Sequence, residues 1–259
     1  MNIGISTGCF FPLKTHLCLE KVARAGARTT EIFFNTHSEL DTEYVKMLKN
    51  TADKNGIKVI SVHPYTSAIE TFMFFSRNDY KLEDSVRYYE KYFQACNVLG
   101  AEYVVFHGCF DTAGYMTMDR YADIMNVLAG RAAKYNVHIS QENVVKFKCG
   151  TRDNLRFLSR NTDSSLKFVL DLKQAVRAGQ DVYSLMEIMA GRISHIHVSD
   201  NDLSDDSLLP GEGSFDLQYF LKKAQNSYNV KNALIEVYRQ NIKSEERLKK
   251  SFKYVKGLV

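Results

Sequence analysis

Seven residues of this sequence, Glu31, His63, His107, Glu142, Asp171, His197 and Glu236, stand at or near the C-terminal ends of short hydrophobic runs. All seven are of types that bind a metal ion or move a proton. Carboxylates and imidazoles without thiolates form a hard-to-borderline donor set that suits Mn²⁺, Zn²⁺, Co²⁺ or Mg²⁺. Taken singly, a His or Glu in such a place is more often a satisfied hydrogen-bonding residue than a ligand. Taken together, several carboxylates side by side are costly to bury without a cation, so their convergence predicts a divalent metal. Glu31 is the weakest member and is expected either to orient a ligand or to form an ion pair with Arg28 or another base. His195 lies two residues before His197 on one run, so the two side chains face the same way. His197, nearer the end, is the expected ligand; His195 is read equally as its supporting or packing neighbour.

Convergence requires a scaffold that gathers the ends of separate runs. A strand pattern followed by a helix pattern recurs along the chain, which is the signature of parallel βα units. Eight strands are predicted: Ile3 to Thr7, Thr29 to Phe33, Lys58 to His63, Tyr103 to His107, Val137 to Glu142, Lys167 to Asp171, Ile193 to Val198 and Ala233 to Val237. Helices are predicted from Thr15 to Ala25, Asp41 to Asn55, Asp79 to Gly100, Met118 to Tyr135, Thr151 to Arg160, Tyr183 to Ala190, Asp216 to Asn226 and Ser244 to Val255. Eight regular units in 259 residues favour an α/β fold closed as a single (β/α)8 TIM barrel over an open doubly wound sheet, because closure leaves no strand edge exposed. No linker-like segment divides the chain, so one domain is expected over residues 1–259. In such a barrel every strand C-terminus opens onto one mouth, where the polar residues would meet.

Composition narrows the partners. The formal charge is +4, with Lys and Arg dispersed except in a mildly basic last helix, so no basic track points to nucleic acid. No signal-peptide pattern and no apolar run of about 18 residues is seen, and the expectation is a soluble, cytoplasmic protein that does not engage a membrane. The five cysteines form no C-x-x-C pair and are expected to be free, small buried residues. Tyr65, Phe10 and Phe110 lie just past strand ends, where they would wall a substrate pocket. The Pro210-Gly211-Glu212-Gly213 turn lacks the Lys and Ser/Thr of a phosphate-binding loop. A homo-oligomer stays open.

The short motifs Ser-Val-His63-Pro, Val-Phe-His107-Gly, Gln-Glu142-Asn, Leu-Asp171, His195-Ile-His197-Val-Ser-Asp200, Pro-Gly211-Glu-Gly213 and Ile-Glu236-Val occur in this order across nearly the whole chain. In that arrangement the sequence resembles the xylose isomerase-like TIM-barrel superfamily, which holds sugar and sugar-phosphate isomerases and epimerases together with metal-dependent apurinic endonucleases. The resemblance implies metal ligation by Glu142, Asp171, His197 and Glu236. It also implies proton transfer by Glu142 and Glu236 on opposite faces of a carbohydrate, through an enediolate. His63 and His107 match residues that bind an additional metal in the endonucleases, and here would hold a second ion or substrate.

Departures from the family pattern bear on the substrate. The Asp-x-x-His of many members is here Asp171, Leu172, Lys173, Gln174, and Leu203 stands near the place of a sugar-contacting arginine. Asp205-Asp206-Ser207 replaces the Asp-x-His of the endonucleases, which weighs against phosphodiester cleavage. Lys173, Gln174, Tyr65, His195 and Arg239 are the candidate substrate contacts. Lys146, Lys148, Lys173 and Arg239 are the cations available to a phosphate, Lys173 foremost. The reading is an isomerase or epimerase acting on a sugar, sugar phosphate or related polyol. Its alternatives are a phosphodiesterase, a dehydratase-type lyase and a barrel that binds metal or sugar without turnover.

Overall fold

The hydrophobic runs pair side by side as parallel strands: β1 (Asn2–Ser6), β2 (Thr29–Phe33), β3 (Lys58–His63), β4 (Tyr103–Phe106), β5 (His138–Glu142), β6 (Lys167–Asp171), β7 (Ile193–Val198) and β8 (Asn232–Ile235). Each strand pairs with the next, and β8 pairs back onto β1, so the sheet closes as a (β/α)8 TIM barrel. The computed structural model describes residues 1–202 and 204–259; Leu203, the residue near the expected arginine position, lies outside the described residues.

The helices are α1 (Thr15–Ala25), α2 (Thr42–Lys54), α3 (Glu70–Phe74), α4 (Asp79–Leu99), α5 (Met118–Ala133), α6 (Arg152–Asn161), α7 (Leu172–Arg177), α8 (Val182–Ile188), α9 (Leu217–Tyr228), α10 (Arg239–Ile242) and α11 (Glu245–Lys256). Their starts follow from local chemistry. Thr117, Thr151 and Ser244 accept a hydrogen bond from the backbone N–H three residues on, satisfying a donor that a helix start leaves free. Asp216 caps α9 in the same way, as its position predicts. The long helices bury one stripe, for example Tyr121, Met125, Leu128 and Ala132 of α5, against the outer face of the barrel. Each fully buried Leu, Phe or Met side chain contributes about 1.5–3 kcal/mol. All five cysteines are free and buried in this core. Among the described residues no helix is long and apolar enough to cross a membrane.

Two strand ends differ from the predicted ones in a way that matters. His107 falls outside β4, because its N–H donates to the carboxylate of Glu70 instead of to a neighbouring strand. Glu236 falls just beyond β8, although its N–H still reaches Val198 O at 3.0 Å. Three short helices, α3, α7 and α10, follow β3, β6 and β8 where the sequence predicted loops; they are too short to show a periodic pattern.

Candidate metal centre

Four consecutive strands deliver the central cluster. Glu142 ends β5, Asp171 ends β6, His197 is the penultimate residue of β7, and Glu236 follows β8. Each offers a ligand atom, and the four atoms lie within 4.8 Å of one another. His197 Nδ1 stands at the middle, 3.3 Å from Glu142 Oε1, 3.6 Å from Asp171 Oδ2 and 3.4 Å from Glu236 Oε2. Among the described residues Asp171 Oδ2 and Glu236 Oε2 are buried and accept no hydrogen bond. Buried carboxylate oxygens without a donor are costly, and a cation among them removes that cost. These donors therefore fit a divalent ion of the kind that oxygen and imidazole ligands prefer.

Asp171 and His197 are held from behind. Asp171 accepts from Gln174 N through Oδ1, which starts α7, while its backbone is clasped at both ends by the Asn143 amide, at 2.7 and 3.0 Å. Oδ2 is left for the cage. His197 turns Nε2 inward, 3.3 Å from Glu31 Oε1. Glu31 also meets His195 Nε2 at 3.2 Å and accepts from Ser6 and Ser61. Burial works against the charge of Glu31, but His197 and His195 outweigh it and hold the carboxylate well below the ordinary glutamate range. With Nε2 3.3 Å from Glu31, a proton on Nε2 would leave the Nδ1 lone pair free for an ion in the cage. Glu31 thus pairs with the imidazoles of His195 and His197, not with Arg28, which turns to Ala27 O. Burial opposes charging of His197, yet Glu236 and Glu31 raise its pKa well above the usual imidazole value, so a metal bound through Nδ1 would have to displace a proton.

A second cluster joins the first through Glu142. His107 Nε2 lies 2.9 Å from Glu142 Oε2, His63 Nε2 lies 3.8 Å from the same oxygen, and the two imidazole nitrogens are 3.2 Å apart. Burial disfavours a charge on His63, but the neighbouring Glu142 and the surrounding carboxylates win and raise its pKa to about 9. The strand-end rule did not single out Glu70, which sits on α3. Its carboxylate receives the N–H groups of His107 and Gly108 at 2.8 and 2.6 Å and the Tyr89 hydroxyl at 2.6 Å, fixing the peptide that carries His107. Gly108 is required there: its φ is +94°, and a Cβ would lie 1.9 Å from the Tyr121 hydroxyl oxygen.

Lys173 is buried in the first turn of α7, with Nζ 3.4 Å from Asp171 Oδ2 and 3.7 Å from Glu236 Oε1. Burial alone would discharge it, but Asp171 and Glu236 raise its pKa and keep the ammonium charged. Gln174 turns away from the cage and accepts from Val145 N at 3.2 Å. His195 sits beneath the cage with Glu31, its Nδ1 3.0 Å from Ser194 Oγ. Tyr65 places its hydroxyl 2.6 Å from that of Tyr88 on α4. Arg239 is exposed and lines a surface cleft with Lys21 and Glu245. Of the remaining phosphate candidates, Lys146 is exposed and Lys148 buried. Phe110 stacks on Phe147 at 4.7 Å, and Phe147 meets the His107 ring edge at 5.4 Å, while Phe10 is buried.

The Gly-x-Gly turn is structural. Asp200 accepts from Gly211 N and Phe215 N, and a Cβ on Gly213 would lie 2.4 Å from Asp200 Oδ1. Arg177 also joins segments: it forks onto Asp206 with two bonds of 2.6 Å and donates to the Tyr238 hydroxyl at 2.6 Å.

A closed βα barrel with acidic and imidazole side chains gathered at its mouth defines the class. The xylose isomerase-like TIM barrel family matches residues 19–258, and the chain belongs to that family. The chain is similar in structure to a D-tagatose 3-epimerase-like protein, at 21% identity and a TM-score of 0.79, covering 99% of both chains. It is also similar to the IOLI protein with a bound zinc atom, at 19% identity and a TM-score of 0.78, covering 99% of this chain and 96% of that one. A third likeness is to a probable 3-DHS dehydratase from Bacillus anthracis, at 14% identity and a TM-score of 0.78, covering 99% of both. At these identities the likeness shows the fold. No curated protein matches the chain by sequence.

Proposed function

We propose that the protein is a metal-dependent isomerase or epimerase of a sugar, sugar phosphate or related small polyol. The observation that carries this reading is the cage of Glu142, Asp171, His197 and Glu236, with ligand atoms within 4.8 Å of one another. A carbon-bound proton next to a carbonyl leaves readily only if the charge that develops on the carbonyl oxygen is neutralised, and a divalent ion held by this cage would supply that positive charge. The chain supplies the rest. Each glutamate turns one oxygen toward His197 Nδ1, Oε1 for Glu142 and Oε2 for Glu236. The other oxygen stays outside the cage, beside His107 for Glu142 and beside Lys173 for Glu236. One glutamate, as the carboxylate, takes the carbon-bound proton, and the other, protonated beforehand, delivers its own proton to the opposite face of the same carbon, which inverts it; delivery to the adjacent carbon moves the carbonyl instead. Glu236 is the more accessible of the two, with a side chain 17% exposed against 3% for Glu142, so an incoming substrate meets Glu236 first.

The test is exchange. The protein, stripped and reloaded with Mn²⁺, is incubated in D₂O with a panel of aldoses, ketoses, their phosphates and sugar acids, and carbon-bound deuterium is read by NMR. Incorporation at one carbon of one substrate is expected; no incorporation across the panel overturns the proposal.

A dehydratase is the second reading, favoured by the paired imidazoles. His63 and His107 stand beside Glu142, where an imidazole could protonate a departing hydroxyl after the same deprotonation. Loss of 18 mass units from the product, in place of an isomer of unchanged mass, decides between them.

A further inference from the structure

A metal cage has no evident use for an ammonium group, yet Lys173 is built into this one. Its side chain is buried, 4% exposed, and Nζ touches two of the four cage residues, 3.4 Å from Asp171 Oδ2 and 3.7 Å from Glu236 Oε1. Among the described residues it makes no hydrogen bond, so these contacts are ionic. The placement is not accidental flexibility of a long chain. Asp171 caps α7 and so turns the backbone back over the strand end, which brings residue 173 above the carboxylates. On the other side the Tyr238 ring lies under Nζ, 5.1 Å to its centroid, and Arg177 holds that ring by its hydroxyl.

Charge explains what the ammonium does. Glu142, Asp171 and Glu236 bring three negative charges into a space with little water, and among the described residues Asp171 Oδ2 and Glu236 Oε2 have no hydrogen-bond donor. Like charges packed this closely repel strongly where the dielectric is low. One fixed ammonium offsets part of this charge, as the neighbouring imidazoles do, and a divalent ion would offset the rest. The same ammonium repels that ion.

Resting on the metal-dependent reading above, we infer that Lys173 is a resident cation of the cage. It holds Asp171 and Glu236 together in the ion-free protein and, in doing so, weakens the affinity of the cage for a divalent ion. Binding is thereby made reversible, and the ion-free barrel stays folded.

Lys173→Met keeps the length and apolar bulk of the stem and removes the charge. Wild type and variant, both stripped by chelation, are titrated with Mn²⁺ in a calorimeter and melted with and without the ion. The variant is expected to bind Mn²⁺ about tenfold more tightly or better, to melt at a lower temperature than wild type when ion-free, and to recover wild-type stability at saturating Mn²⁺. If the ion-free variant does not fold at all, native near-ultraviolet dichroism regained on refolding with Mn²⁺ supports the inference, and failure to regain it overturns it. Equal or weaker Mn²⁺ affinity in the variant, with wild type binding normally, overturns the inference and leaves the metal-dependent reading intact. Absence of Mn²⁺ binding in both proteins overturns both.

Discussion

Ligand strength in a metal site is set as much by what stands behind a ligand as by the ligand itself. His197 presents Nδ1 to three carboxylates while Nε2 lies 3.3 Å from Glu31 Oε1, and Glu31 is itself held by two serines and His195. A carboxylate beside the far nitrogen of an imidazole orients the ring, favours the tautomer with its proton on Nε2 and makes Nδ1 a stronger base. Glu31→Gln keeps the shape and removes the charge, so Nε2 loses its ionic acceptor and the ring is free to carry its proton on Nδ1. The expected outcome is a loss of about 10- to 100-fold in Mn²⁺ affinity by calorimetry, with the cage residues untouched. Unchanged affinity would show that Glu31 serves only the packing of the barrel interior.

Whole elements then place these residues, and here the strand-end loops matter more than the strands. The turn after β4 illustrates this, because His107 reaches the cluster only if Gly108 adopts its positive φ and the Glu70 carboxylate collects both N–H groups. Gly108→Ala drives a methyl group into the Tyr121 hydroxyl, 1.9 Å away, in a backbone region that side chains avoid. A loss of about 1–3 kcal/mol in urea unfolding is expected, partly relieved in the double variant with Tyr121→Phe. A variant within about 0.5 kcal/mol of wild type would mean that the loop relaxes freely. The same loops mark the boundary of what the sequence discloses. The eight strands and the convergence of Glu142, Asp171, His197 and Glu236 were legible, because hydrophobic runs with polar ends have only one mouth to share in a closed parallel barrel. Glu70, Arg177 and Tyr238 were not, since each acts through a short helix or loop whose path is set by tertiary packing. Lys173 was visible as a cation beside Asp171, but its burial depends on the turn of α7, which a six-residue helix does not announce.

Across the whole molecule, the cage spans the half of the barrel formed by β5, β6, β7 and β8, next to the β8–β1 pairing that closes the ring. Glu142, Asp171 and Glu236 repel one another and Lys173 offsets only part of that repulsion, so a shared cation would draw these strand ends closer and its binding is expected to be linked to folding. For a ligand that binds only the native state, a concentration one hundred times the dissociation constant adds about 2.7 kcal/mol of stability. A chain of this size gains about 2–4 °C in Tm per kcal/mol, so a rise of about 5–11 °C is expected on adding Mn²⁺ or Zn²⁺ to chelator-treated protein. Excess chelator should reverse it. Ions can also stabilise a protein through scattered surface carboxylates, and Asp171→Asn separates the two cases: it removes charge from the cage and leaves the surface as it was. The rise should vanish in that variant, and a rise of equal size in both proteins would place the bound ions elsewhere on the barrel.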